Sequence, residues 1–233
     1  RLIRRQRQRC IRDRVEYNPF HNGHLYHLTK AKRICNPDFT VAVMSGSFTQ
    51  RGEPAIIDKF ARTEIALLCG VDLVLELPTI YAIQDAGGFA FGAISSLAAT
   101  QVVTDVVFGS ESADLENLEK IAKVLVEQPP LYLRFEYIVS AKKLGLSTRF
   151  HVVKRVGADY HDEGFKGTFS SATAIRNLIR RNEMEQVRHA LPQESFSILR
   201  REMKVGRGPV FYEDMEKLIM GVFRTITRYD LQE

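Results

Sequence analysis

Three short, apolar, β-branched runs separated by helix-length segments constrain this chain more than anything else in it. Phe39-Thr-Val-Ala-Val-Met44, Val71-Asp-Leu-Val-Leu-Glu-Leu77 and Asp105-Val-Val-Phe108 each read as a buried strand, the second stopped by Pro78. Between them, Asp58 is placed to cap a helix running through Leu68 and ended by Gly70, and Ala86 to Ala99 forms a small-residue helix able to pack closely on a sheet. Strands alternating with helices at this spacing predict an α/β fold, a parallel sheet with helices on both faces, whose sites sit at the carboxyl ends of the strands. With 233 residues and 45% hydrophobic content, the chain can build one full domain of this kind.

The second half continues the pattern. Leu115, Leu118, Ile121, Ala122 and Leu125 mark one face of a helix, Pro129-Pro130 breaks the chain, and a helix is expected from Phe135 to Leu144. A strand near Phe150-His-Val-Val153 precedes two loop motifs and then helical segments to the end. The expected organisation is a basic start at 1–14, an α/β domain at 15–181 and a helical segment at 182–233.

The net charge of +5 suggests a nucleic-acid partner, but its location matters more than its size. Seven of the 33 basic residues and one of the 28 acidic ones lie in the first 14 positions, which leaves the rest close to neutral. The three cysteines, Cys10, Cys35 and Cys69, have no paired spacing that would suggest a disulfide framework or a zinc site. A cytoplasmic, reducing setting is expected. No apolar run approaches a membrane span, so no membrane association is expected.

Glu16-Tyr-Asn-Pro-Phe-His-Asn-Gly-His24 has the grammar of a strand-to-helix turn, with Pro19 stiffening the approach and Gly23 letting a ligand near the backbone. The helix expected from Leu25 to Arg33 would aim unpaired N–H groups and its positive dipole end at this turn, a ready anion site. His21 and His24 can donate hydrogen bonds to phosphate oxygens, meeting the charge that grows on an α-phosphate during nucleotidyl transfer. The competing readings are that both are capping or half-buried histidines, or that His21, His24 and His27 bind zinc. Their three-residue spacing disfavours zinc, since the helical ligand pair is four apart.

Ser170-Ser171-Ala172-Thr173, followed by Arg176, supplies hydroxyls and N–H groups at a second helix start, with Arg176 placed to reach back one turn toward phosphate. Taken alone, such a string is often only a helix cap. Ser45-Gly-Ser-Phe-Thr-Gln-Arg-Gly-Glu-Pro54 follows a strand at the edge where a substrate loop belongs, or is merely a flexible surface loop. Gly109 ends a neighbouring strand and would let an adenine ring pass, or is a plain turn glycine.

These strings, together with Val43 to Pro54, Gly70 to Pro78, Phe108 to Glu111, Asp159-Tyr-His-Asp162 and Ser171 to Arg176, resemble the bacterial tRNA(Met) cytidine acetate ligase family from Glu16 to about Arg176. The resemblance implies a nucleotidyltransferase-like Rossmann fold, activation of acetate by ATP to acetyl-adenylate, and acetylation of N4 of the wobble cytidine of elongator tRNA(Met). It maps an ATP site onto Val15, Glu16, Tyr17, Asn18, Pro19, Phe20, Asn22, Gly23, Leu25, Tyr26 and His27, then Gly109 and Arg155. Ser171, Thr173 and Arg176 would hold the outer phosphates, with His21 and His24 catalytic; Mg²⁺ is compatible with this chemistry, and the oligomeric state is left open.

Three departures from the family pattern stand out. Its first strand is apolar, whereas Arg4 to Arg14 is basic and only Ile11 and Val15 suit a buried strand, so residues 1–14 are expected to form no well-packed strand or only a short one near Ile11 to Val15. The stretch between Glu111 and Phe135 is short and lacks the family's Asn-Asn-Ile-Leu-Gly motif, and family members continue past Glu233. Two alternatives therefore stay in view, a nucleotidyltransferase acting on a small molecule and an inactive or RNA-binding fragment of the family.

Overall fold

The computed structural model describes residues 10–12, 15–110, 114–117, 136–154 and 167–225. Among the described residues, five parallel strands form one sheet in the order β3-β2-β1-β4-β5. They are β1 Cys10–Arg12, β2 Thr40–Ser45, β3 Leu73–Leu77, β4 Asp105–Ser110 and β5 Arg149–Lys154. The chain leaves β1 in one direction to build β2 and β3 and returns to the other side of β1 for β4 and β5. Strand order thus reverses between β1 and β4, the switch point where such sheets open a crevice at their carboxyl ends.

Alternation of side chains assigns the helices to the two faces. Ala42 and Met44 of β2 point into one core cluster, packed by α1 (Asn22–Cys35), α2 (Lys59–Leu68) and the late helices α6 (Ala172–Arg180), α7 (Met184–Ala190) and α8 (Gln193–Lys204). Val41 and Val43 point the other way, against α4 (Ala86–Ala99) and α5 (Glu136–Lys143). A short α3 (Thr79–Ala82) follows Pro78. The small residues of α4 have a use: a Cβ on Gly92 would sit 2.4 Å from Tyr81 Cβ, so this face admits α3 only because Gly92 lacks one. The last described helix, α9 (Tyr212–Thr225), buries none of its residues.

Most helix ends fall where the capping residues place them. Asp58 accepts from Ala61 N–H at 2.8 Å and Ser171 from Ala174 N–H at 3.0 Å. Among the described residues, the basic start contributes a three-residue strand at Cys10–Arg12, paired on both sides, and an isolated bridge joins Val15 to Met44. That is the short strand expected, displaced slightly toward the N-terminus. β4 runs on through Gly109 to Ser110, so Gly109 is a strand residue facing Val153 across the ladder rather than the end of the strand. Of the helix expected around Leu115 only 115–117 are described, and the Asp159 to Asp162 motif and Pro129-Pro130 lie outside the described residues.

Candidate active site at the strand-to-helix turn

The turn at 15–24 stands where β1 gives way to α1, beside the carboxyl ends of β2 and β4. Val15, Tyr17, Asn18, Pro19 and Phe20 are buried and Glu16 is half-buried, so the turn is part of the core. Tyr17 takes a left-handed backbone (φ 46°), a costly conformation for a bulky residue that surrounding contacts must enforce.

Those contacts come from every side. The Arg62 guanidinium, wholly buried, donates to the carbonyls of Glu16 at 2.5 Å, Ser45 at 3.0 Å and Gly46. Burial lowers its pKa to about 10, against the opposing pull of Glu16, Asp58 and Glu76, so it stays charged at neutral pH. Asn18 Oδ1 accepts the Ile56 N–H at 2.8 Å, the Asn18 carbonyl accepts from Arg176 Nη1 at 3.0 Å, and the Phe20 carbonyl accepts from Ser195 Oγ at 2.7 Å. Asn22 Nδ2 donates to the carbonyls of Thr168 at 3.1 Å and His189 at 3.0 Å. Arg62 and Ser195 carry no motif and were not singled out from the sequence.

α1 begins at Asn22, three residues before the predicted start, and His21 is its N-cap. His21 Nδ1 accepts the Gly23 N–H at 3.1 Å, and His24 Nδ1 accepts the His21 N–H at 3.2 Å, a reciprocal capping box made by two imidazoles. The His24 and Leu25 N–H groups bond the His21 carbonyl at 2.9 and 3.2 Å. The first-turn donors expected to meet an anion are therefore partly spent inside the turn. What the turn offers instead is side-chain chemistry: with both Nδ1 atoms accepting, each neutral ring carries its proton on Nε2 and donates from that edge. The rings stack with centroids 3.7 Å apart, and Tyr17 and Phe20 pack against His24 at 5.1 and 5.6 Å, fixing both edges together.

The remaining predicted residues divide. Leu25 packs on the core and Tyr26 lies against Phe169 at 6.2 Å, both on α1 with half-buried His27. Ser171 spends its hydroxyl on capping α6, while Thr173 Oγ1 accepts from Arg176 Nη2 at 3.3 Å, one turn along. Arg176 thus joins the second predicted motif to the first, through the Asn18 carbonyl. Gly109 lies near the carboxyl end of β4, across the switch point from β1, and Arg155 lies outside the described residues. The loop after β2 is no loose surface segment: Thr49 N–H bonds the Glu53 carbonyl at 2.9 Å, Ala55 N–H the Ser47 carbonyl at 2.9 Å, and Gln50 N–H reaches Glu16 Oε1 at 2.9 Å.

Among the described residues, Cys35, Asp105 and His151 are close enough together to hold a metal ion. They belong to the opposite, amino end of β4. The Asp105 oxygens are already taken by the Arg149 fork, both bonds 2.8 Å, by Thr104 at 2.7 Å and by His151 at 2.8 Å. Burial, the largest single influence, pushes the Asp105 carboxyl up, but the bonds from Arg149, Thr104 and His151 together hold it at about 2. This ion pair, with Asp105 buried and the Arg149 side chain exposed, ties β4 to β5. No described helix is long and apolar enough to cross a membrane.

Comparison with known proteins agrees with this geometry. The HIGH Nucleotidyl Transferase family profile matches residues 14–135 and 128–233, two stretches that overlap near the predicted break. Curated tRNA(Met) cytidine acetate ligases of Thermotoga maritima and Fervidobacterium nodosum are 52% and 48% identical, over 90% and 94% of this chain and 61% and 60% of their own length. The chain therefore spans about 60% of these relatives. The crystal structure of apo Thermotoga maritima TmcAL superposes with a TM-score of 0.88 at 50% identity, covering 94% of this chain and 62% of that one. The same protein bound with alpha-thio ATP gives 0.84 at 49% identity, with the same coverage. A helix-capping pair of stacked histidines at the switch point of a parallel sheet, with a profile match along nearly the whole length, places this chain in the HIGH nucleotidyl transferase family, next to the tRNA(Met) cytidine acetate ligases.

Proposed function

We propose that this chain binds ATP at the 15–27 turn and uses it to activate acetate as acetyl-adenylate, for transfer to N4 of the wobble cytidine of elongator tRNA(Met). A cytoplasmic setting goes with that substrate. The observation that carries the reading is the His21–His24 pair, whose Nδ1 atoms are committed to capping so that Nε2–H is the donor edge of both rings. Fixed donors of this kind stabilise charge as it develops and cost no reorganisation during reaction.

Buried polar atoms beside the turn fit a bound nucleotide. Asn18 Nδ2 and Ser45 Oγ are buried without a hydrogen-bond partner among the described residues, a costly arrangement unless a ligand or water completes it. In the reaction an acetate oxygen attacks the α-phosphorus, the bond from that phosphorus to the bridging oxygen breaks, and pyrophosphate leaves with the electron pair. His21 and His24 meet the charge on the α-phosphate, while Thr173 and Arg176, one turn apart and joined to Asn18, hold the outer phosphates. N4 of the cytidine then attacks the acetyl carbonyl, loses a proton, and AMP departs.

Acetate-dependent exchange of labelled pyrophosphate into ATP tests this. Exchange that requires acetate supports the reading. Exchange that ignores acetate but requires a phosphorylated nucleotide points to a small-molecule nucleotidyltransferase, and ATP binding without exchange points to an inactive relative.

A further inference from the structure

Thr173 and Arg176, assigned above to the outer phosphates, line one part of a cleft of about 230 Å³ that continues past them to Arg51, Arg180 and Tyr212, residues the reaction above does not use. Arg51, Arg176 and Arg180 place three guanidinium groups along it, Glu53 is the carboxylate among its lining residues, and Phe211 and Tyr212 supply an aromatic wall. Pockets that enclose whole small molecules run to roughly 300–1,000 Å³, so a cleft of this size better suits part of a polymer passing through.

Two links join the cleft to the turn. Arg176 bonds the Asn18 carbonyl with one nitrogen and lies 3.6 Å from Glu53 with the other, so a single side chain faces both places. Ile56 gives its N–H to Asn18 Oδ1 and accepts the Val210 N–H at 2.9 Å, fixing the aromatic wall against the turn. At the far end, Arg180 lies over the Phe211 ring at 4.6 Å and pairs with Glu213 at 3.1 Å, an oriented rather than a buried cation. The Tyr212 side of the wall is accessible, at 58% exposure.

Positive groups beside an accessible ring are what single-stranded nucleic acid uses: phosphates meet the cations and a base stacks on the ring. Resting on the ligase reading, we propose that this cleft carries a single-stranded stretch of the RNA substrate to the reacting site, with backbone phosphates on Arg51 and Arg180 and a base against Tyr212.

The test is fluorescence anisotropy of a labelled tRNA(Met) anticodon stem-loop, titrated without ATP at several salt concentrations. The double variant Arg51→Gln/Arg180→Gln is expected to bind about tenfold more weakly at low salt. Its salt slope should be shallower by about 1.4, at about 0.7 per lost phosphate contact. Tyr212→Ala should weaken binding about tenfold with the slope kept, and Arg180→Lys should restore most of the slope. Circular dichroism melts confirm that each variant folds, and calorimetry follows ATP. Unchanged RNA affinity and slope in the double variant overturn the proposal, as does absence of RNA binding by the unsubstituted chain. A loss confined to ATP binding also overturns it and gives the cleft to the nucleotide. Failure of acetate-dependent exchange would sink the ligase reading alone, because the anisotropy is read without ATP.

Discussion

Replacing Arg62 with Met tests whether the turn is held by one buried guanidinium. Met keeps the helix and much of the volume but removes three hydrogen bonds, to the carbonyls of Glu16, Ser45 and Gly46. Hydrogen bonds from a charged donor are worth about 1.5–3 kcal/mol each, and those carbonyls would lose their partner. Against this, a guanidinium no longer has to be desolvated, which returns several kcal/mol. The net expected loss is about 3–5 kcal/mol, beyond the usual range for a point substitution. At about 2–4 °C per kcal/mol for a chain of this size, the melting temperature should fall by about 6–20 °C. Urea and thermal unfolding followed by circular dichroism measure this, and calorimetry at a temperature where the variant stays folded should show weakened ATP binding. A loss below about 1 kcal/mol with ATP binding intact would refute the reasoning. It would mean that those carbonyls are satisfied otherwise and the turn keeps its shape without Arg62.

Four further outcomes are expected. His24→Ala should lower acetyl-adenylate formation about a hundredfold or more while the fold survives, measured by pyrophosphate exchange and a melt; turnover near that of the unsubstituted chain would leave both histidines with capping as their whole role. Ser195→Ala, which removes the bond to the Phe20 carbonyl, should cost about 1–2 kcal/mol in urea unfolding. Gly92→Ala drives a methyl into Tyr81 and should cost about 1–3 kcal/mol, whereas Gly145→Ala meets nothing within 4 Å and loses only through its positive φ. The Asp105 pKa is lower in the fold than the ordinary 3.8, so its stabilisation is complete above about 3.8 and disappears as pH falls toward about 2. Asp105→Asn should flatten the acid limb of the stability curve over that window, and an unaltered limb would refute the assignment.

The sheet and most helix ends were legible in the sequence because their signals are local. Val43 and Met44 alternate faces within one strand, and Asp58 and Ser171 are ordinary capping residues. The start of α1 was misplaced for the opposite reason: an imidazole accepting through Nδ1 is an uncommon cap, so the capping reading of His21, which the structure bears out, did not fix the helix start at Asn22. Arg62 was invisible because an arginine on an amphipathic helix normally faces water. Its burial comes from carbonyls of the β1–α1 turn and of β2's end, which no spacing rule brings to it. The string at 16–24 marks the candidate site, but not that its histidines stack or which ring nitrogen is left to donate.

The anchors of the turn also set an order of assembly. The bonds from Arg176 to Asn18, from Asn22 to His189 and from Ser195 to Phe20 span 158, 167 and 175 residues of chain. During synthesis both histidines leave the ribosome well before the segments that clamp their turn. A nascent chain that stops short of Arg176 holds the sheet strands and both imidazoles but none of these three clamps. The candidate site therefore receives its last anchors with α6 to α8, and before they arrive Arg62, Ile56 and Gln50 are among the contacts that hold the turn with Tyr17 in its left-handed conformation.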